Sequence, residues 1–226
     1  MGTKIHGIIS TGSKGTLVDI ECHLSNNLPT IVIVGFANKA VDEARERIRG
    51  AFATSRIMLP RKRITLNLAP ADIPKNDSGF DLAMAVAILV ADGQVTQPIA
   101  GDQAFIGELG LDGTTRAVRG IIGKLLLGRS QGINTFFIAR GNLDQAQLVP
   151  DVRLVPIDNL GQLYGYLCVG TGIEIIETGG GKFDALTTAQ YPVNLSEVIG
   201  QPQPKRALEI AAAGGHNVFL SGPPGT

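Results

Sequence analysis

The sequence predicts an α+β fold, a mixed sheet with helices packed on it, followed by a linker and the start of a second, α/β module. Three observations point there: three strand-like runs follow one another at the N-terminus, helices and strands alternate beyond residue 80, and regularity fails between Gly170 and Val193 before resuming. With 226 residues, 44% hydrophobic and 18% charged, the chain holds enough apolar surface for a core, which excludes a disordered polyelectrolyte. Twenty Lys and Arg balance twenty Asp and Glu, so no global charge advertises nucleic acid or an acidic membrane. The longest apolar run, Leu82–Ala91, reaches about half of the roughly 20 residues a membrane span needs, and no signal-peptide core opens the chain. A cytoplasmic protein is expected. Cys22 and Cys168 are far apart without a C-x-x-C, which gives no support for a disulfide framework or zinc site; they read as core thiols.

Lys4–Ser10, Thr16–Leu24 and Thr30–Phe36 are rich in Ile, Val and Thr and bounded by turn residues, which predicts three strands in antiparallel neighbourhood. Asn38 is an N-cap candidate for an amphipathic helix with Val41, Ala44, Ile48, Ala51 and Phe52 inward, and Glu43, Arg45, Glu46, Arg47 and Arg49 on the solvated side. Ile64, Leu66 and Leu68 alternate with Thr65 and Asn67 in a strand that stops at Pro70. Asp81–Ala91 is apolar almost all round, too long for a strand, and reads as a buried helix at the centre of the core. A strand at Phe105–Leu109, a turn at Asp112-Gly113, a helix Ile121–Ser130 closed by Gly132 and a strand Thr135–Ala139 follow. A short helix near Leu143–Leu148, a strand Arg153–Ile157 and a helix Leu160–Leu167 complete the unit, assigned to residues 1–169. Residues 170–193 read as a linker around Gly179-Gly180-Gly181, with one short strand at Ile173–Glu177. From residue 194 a helix begun by Pro202 or Pro204 ends at Gly214-Gly215, and His216–Ser221 reads as a strand.

The last five residues, Gly222-Pro223-Pro224-Gly225-Thr226, follow that strand where a phosphate loop G-x-x-x-x-G-K-[ST] would stand, with backbone N–H groups aimed at phosphate from the strand-to-helix corner. The Lys that meets the β/γ-phosphates and the hydroxyl that ligates Mg²⁺ are absent, so this chain by itself is expected to be no ATPase. Gly-Pro-Pro-Gly alone also makes a simple turn or tail.

Context adds to the motif. Leu195 to Gln201, a short helix, a strand and GPPGT resemble the opening of an AAA+ ATPase module. Ile64 to Lys75, Phe80 to Ala83, Gly107-Glu108-Leu109 and Ala212 to Asn217 resemble the ComM/YifB family of magnesium-chelatase-like AAA+ proteins, over nearly the whole chain. The resemblance implies an N-terminal domain with the Lon protease fold and, from residue 194, the start of a motor cut within its phosphate loop. It implies that Val198, Ile199 and Gly200 pack on adenine and that Gly222, Pro223, Pro224, Gly225 and Thr226 begin to wrap the phosphates, with ATP and Mg²⁺ as cofactors of the full-length protein and none for this chain alone. Ordinary core packing is the other reading of Val198 and Ile199. The family further implies a homo-hexameric, ATP-driven DNA branch-migration helicase of natural transformation and recombination. The chain itself then serves as a noncatalytic docking module. A chelatase-like machine that remodels protein or inserts metal is the alternative.

An active Lon-type peptidase is a third reading, and it needs a Ser nucleophile and a Lys base. The resemblance places the two on Gly79 and Ile122, neither of which can do the chemistry. Ser78 and Lys124 stand close in sequence, but a shift of one or two residues in a helix re-aims a side chain by about 100° or 200°. Ser78 therefore reads as an N-cap of the buried helix and Lys124 as a solvated charge. Cys22 and His23 point to opposite faces of a strand and share no metal, and Asp72, Lys75, Asp77 and Asp81 read as a polar loop with helix capping.

Charge is unevenly spread. Asn38–Arg63 holds eight basic residues against three acidic, while 64–226 holds ten against fifteen. Arg56, Arg61, Lys62 and Arg63 are the candidate DNA contacts, although no aromatic residues interleave with them and a solvated helix face is the favoured reading of the segment.

Overall fold

The computed structural model describes residues 4–11, 14–35, 39–71, 78–179 and 194–223. Contacts divide the chain into two bodies, Met1–Gly181 and Lys182–Thr226.

In the first body the elements are β1 (Ile5–Thr11), β2 (Lys14–Ser25), β3 (Thr30–Val34), α1 (Lys39–Thr54), β4 (Arg63–Ala69), α2 (Asp81–Ala91), β5 (Gln103–Ile106), β6 (Glu108–Leu109), β7 (Thr115–Arg116), α3 (Ile121–Ser130), β8 (Thr135–Ala139), α4 (Leu143–Ala146), β9 (Val152–Ile157), α5 (Leu160–Val169) and β10 (Ile176–Thr178). Eight strands form one mixed sheet in the order β10-β9-β8-β5-β1-β2-β4-β3, and β6 and β7 pair separately. The predicted α+β class is what the chain adopts.

One pairing differs from the expectation. β3 does not pair with β2; β4 lies between them, antiparallel to β2 and parallel to β3. The cause is α1, which carries the chain back across the sheet so that β3–α1–β4 is a parallel crossover unit. Ile64, Leu66 and Leu68 on β4 then bury on the same side as Ile31 of β3 and Ile20 of β2.

Strand alternation sends side chains to two cores. One holds α1, α2 and α5 against Ile5, Val18, Ile20, Ile64, Phe105 and Val155. The other holds Ile121 and Leu125 of α3 and Ala146 of α4 against Ile8, Ile106, Phe136 and Leu154. As read from its apolar run, α2 is the centre of the larger core: Asp81 to Leu89 are all buried.

The predicted strand 105–109 is broken at Gly107. Its N–H donates to Gly79 O at 3.0 Å and its carbonyl accepts from Leu82 N at 3.1 Å, so the residue turns out of the sheet to serve the start of α2. The N-cap of α2 is Phe80, at the end of a 3₁₀ turn over Ser78–Phe80, and the carbonyl of Gly107 satisfies an amide of the first turn; the side chain of Ser78, the expected cap, lies outside what the structure describes.

In the second body a 3₁₀ turn spans Leu195–Glu197 and α6 spans Pro202–Gly214. Asn194 and Glu197 form a capping box, Pro202 opens α6, and Gly215 closes it with φ 63°. No strand forms over His216–Ser221: among the described residues of this body no second strand is available to accept its hydrogen bonds.

Candidate functional sites

The nucleotide-binding residues expected from the sequence lie on the second body. Val198 and Gly200 are exposed and Ile199 is 97% exposed, so neither apolar side chain is packed in a core. The carbonyl of Val198 accepts from Lys205 Nζ, which ties this segment to the first turn of α6. Gly222 and Pro223 are exposed; Pro224, Gly225 and Thr226 lie outside the described residues. The described part of this segment thus presents the side chains of Val198 and Ile199 on its surface.

The basic segment surrounds the end of α1 and the start of β4. Arg56 sits at a left-handed φ of 56° just past the helix, and Arg61, Lys62 and Arg63 are all exposed. Lys62 Nζ lies 4.0 Å from Asp92 Oδ1. On β4, Arg63 takes the face opposite Ile64.

The two positions matched to a protease dyad carry no such chemistry. Gly79 is buried in the 3₁₀ turn before α2, and Ile122 is 36% exposed near the start of α3. Lys124 corrects the sequence reading: it is fully buried, not solvated, and its Nζ donates to the carbonyl of Ile8 at 3.1 Å. Ile121, Leu125 and Gly128 form the inward stripe of α3, and residue 124 falls on it. Asp72, Lys75 and Asp77 lie outside the described residues.

Arg47 and Asp81 are a second correction. The sequence reading puts Arg47 on the solvated side of α1 and makes Asp81 one more residue of a polar loop. Asp81 is instead buried at the N-terminus of α2, where Arg47 Nε donates to Oδ2 at 2.6 Å and Nη2 to Oδ1 at 3.1 Å. The amide of Leu109 donates to Oδ2 at 3.1 Å. The partners respond oppositely: the bond to Asp81 holds Arg47 more firmly protonated, while burial outweighs that same pairing at Asp81 and pushes its carboxyl up to about 6. Both are charged at neutral pH. Arg47 also lines a cleft of about 480 Å³ with Glu43, Glu46, Leu111, Asp112 and Arg116. The signal for this pair is present in the sequence, since 47 lies three residues from Ala44 and four from Ala51 on the buried stripe.

The cysteines differ from each other. Burial, with the charge of Asp92 adding to it, pushes the Cys22 thiol up to about 12. Cys168, read as a core thiol, is exposed near the end of α5, its Sγ donating to Gln94 O at 3.6 Å. No described helix is long and apolar enough to cross a membrane.

Comparison with known proteins bears on both bodies. The family described as "Subunit ChlI of Mg-chelatase" matches residues 20–142, and "Magnesium chelatase, subunit ChlI" matches 194–226. Competence protein ComM of Haemophilus influenzae is 38% identical over 98% of this chain and 43% of its own length. The protein YifB of Escherichia coli is 37% identical over 98% of this chain and 43% of its own. A Lon protease of Mycolicibacterium smegmatis is 26% identical over 70% of the chain and 20% of its own length. The chain therefore spans about two-fifths of the curated ComM and YifB relatives it matches. On the two matching family profiles and this long identity, the chain belongs to the ComM/YifB magnesium-chelatase-like family.

Proposed function

We propose that the chain is the N-terminal portion of an AAA+ ATPase that acts on DNA in the cytoplasm as a branch-migration helicase of natural transformation and recombination. The observation that carries this reading is its identity to Competence protein ComM along almost its whole length. Residues 1–169 form a Lon-protease-like docking domain, 170–193 a linker that first lends β10 to that domain's sheet, and 194–226 the start of the motor. The first body acts without chemistry of its own, holding DNA or a neighbouring subunit for a ring of motors. Gly79 and Ile122 support that noncatalytic role, because neither supplies a nucleophile or a base.

In the full-length homo-hexamer, Val198, Ile199 and Gly200 bear on the base of ATP, and Gly222 to Thr226 open the loop around its phosphates. The nucleotide with Mg²⁺ supplies the free energy for strand movement. The chain's own residues position the base; the charge on the phosphates is met by residues beyond Thr226. Arg56, Arg61, Lys62 and Arg63 are the DNA contacts of the first body, and the exposure of Arg61, Lys62 and Arg63 supports this.

A second reading has its own observation: both matching family descriptions name magnesium chelatase, which favours a metal-inserting or protein-remodelling ATPase. ATP turnover by the full-length protein separates the two. Stimulation by branched DNA is expected; turnover indifferent to DNA and raised by a metal-accepting macrocycle would establish the chelatase reading instead.

A further inference from the structure

β3 is an edge strand whose outer side is open: among the described residues it pairs with β4 alone. Its sequence, Thr30-Ile31-Val32-Ile33-Val34, contains no charge and no proline, the usual devices that discourage another strand from adding to an edge. Five residues offer a row of unused N–H and C=O groups long enough for a short peptide.

At the N-terminal end of this strand a cavity of about 330 Å³ opens between β3, the last turns of α1 and the loop into β4. The volume lies at the small end of ligand pockets, about 300–1,000 Å³. Ile31, Leu59, Pro60 and Ile64 give it apolar walls, and Arg49 and Lys62 are the charged side chains on its lining. Each cation has an acidic partner outside the cavity, Glu46 at 3.0 Å from Arg49 and Asp92 at 4.0 Å from Lys62. Solvent-accessible pairs of this kind are weak, so a better-placed anion displaces them.

Edge and cavity share Thr30 and Ile31. A strand added antiparallel to β3 runs towards Thr30 and ends there, with its last side chain over the apolar walls. Its terminal carboxylate then meets Arg49 and Lys62. A phosphodiester would also satisfy the two cations, but it leaves the strand edge unused and finds no aromatic side chain in the lining on which to stack a base.

We propose that β3 and the Arg49–Lys62 cavity form a docking site for the free C-terminus of a partner polypeptide, bound by strand addition, with an apolar last residue in the cavity and its carboxylate between the two cations. Main-chain hydrogen bonds give the affinity, and the cavity with its charges selects a chain end over an internal segment. Arg49 and the β3 edge belong to this site alone, whereas Lys62 is shared with the DNA contacts proposed above, so peptide and oligonucleotide binding are read separately.

The test is selection of random C-terminal heptapeptides displayed on phage against the 226-residue chain, followed by anisotropy titration of the selected peptide. Enrichment of apolar C-terminal residues is expected, with Kd weakened about tenfold or more by amidating the carboxylate, by methylating alternate backbone nitrogens of the peptide, or by Arg49→Glu with Lys62→Glu. Thermal unfolding of the variant confirms that it remains folded. Failure to enrich any peptide, or binding indifferent to amidation, overturns the proposal. So does binding of a single-stranded oligonucleotide that Arg49→Glu abolishes while no peptide is retained, which assigns the cavity to phosphodiester. A dimer that Arg49→Glu dissociates and peptide does not displace overturns it as well, and assigns the edge to a second copy.

Discussion

Arg47 holds Asp81 through two hydrogen bonds, 2.6 and 3.1 Å, across the gap between α1 and α2. Because Leu109 donates to the same carboxylate, three elements distant in sequence converge on one buried charge. Arg47→Met leaves that charge without its cation, and a destabilisation of about 3 kcal/mol or more is expected in urea unfolding at neutral pH, as for other buried pairs stripped of one partner.

The same carboxyl sets a pH dependence. Its folded value, about 6, lies above the ordinary 3.8, so the folded state binds the proton more tightly than the unfolded one. The stability it contributes is complete below about pH 4 and is lost as pH rises through 6. The unfolding free energy of the protein relative to Asp81→Asn should therefore fall between pH 4 and 7, by up to about 3 kcal/mol, and level off above. A difference that rises over this range would refute the assignment.

Calorimetry of the 226-residue chain should detect no specific ATP binding, and its preparations no ATP hydrolysis, because the Lys and the hydroxyl that follows it in a complete phosphate loop are absent. The chain extended through the motor should show both. Micromolar affinity in the short chain would contradict the expectation.

No cleavage of unfolded proteins or small peptides is expected, and a serine-directed phosphonate should leave Ser78 unlabelled. Installing Gly79→Ser with Ile122→Lys need not restore activity, since oxyanion stabilisation must also be in place.

Arg61→Glu with Arg63→Glu in the full-length assembly should weaken DNA binding and leave basal ATP turnover intact. For every phosphate that the variant no longer neutralises, the slope of log K against log salt should become shallower by about 0.9. An unchanged salt titration would return the segment to a solvated surface.

Most elements of the fold are legible in the sequence because their periods are clean. The all-round apolar run 81–91 and the alternation 64–68 each have one structural solution. Pairing is less legible: nothing in the short link 26–29 says that β4, some thirty residues later, will enter between β2 and β3. Charged residues are the weakest point. Residue type assigns Arg47 and Lys124 to solvent, while their positions on the inward stripes of α1 and α3 place them inside; a long side chain buries when its end finds an acceptor, here Asp81 and the carbonyl of Ile8. His216–Ser221 shows the converse, a strand pattern without a described neighbour to pair with.

β1 is the seam of the sheet, and this bears on the order in which the protein can assemble during synthesis. On one side it pairs with β2, its immediate successor; on the other it pairs with β5, His6 standing opposite Ala104. The β1-to-β4 half can close from residues 5–69 alone, as soon as they leave the ribosome. The β5-to-β9 half carries its own parallel contacts over residues 103–157. With both halves formed, joining them closes only the 33-residue link 70–102, an entropic cost that grows slowly with loop length but must be met before the seam returns any stabilisation. Until Ala104 emerges, the nascent chain carries the inner edge of β1 exposed, an added reason for the sheet's two halves to be built by local pairings first.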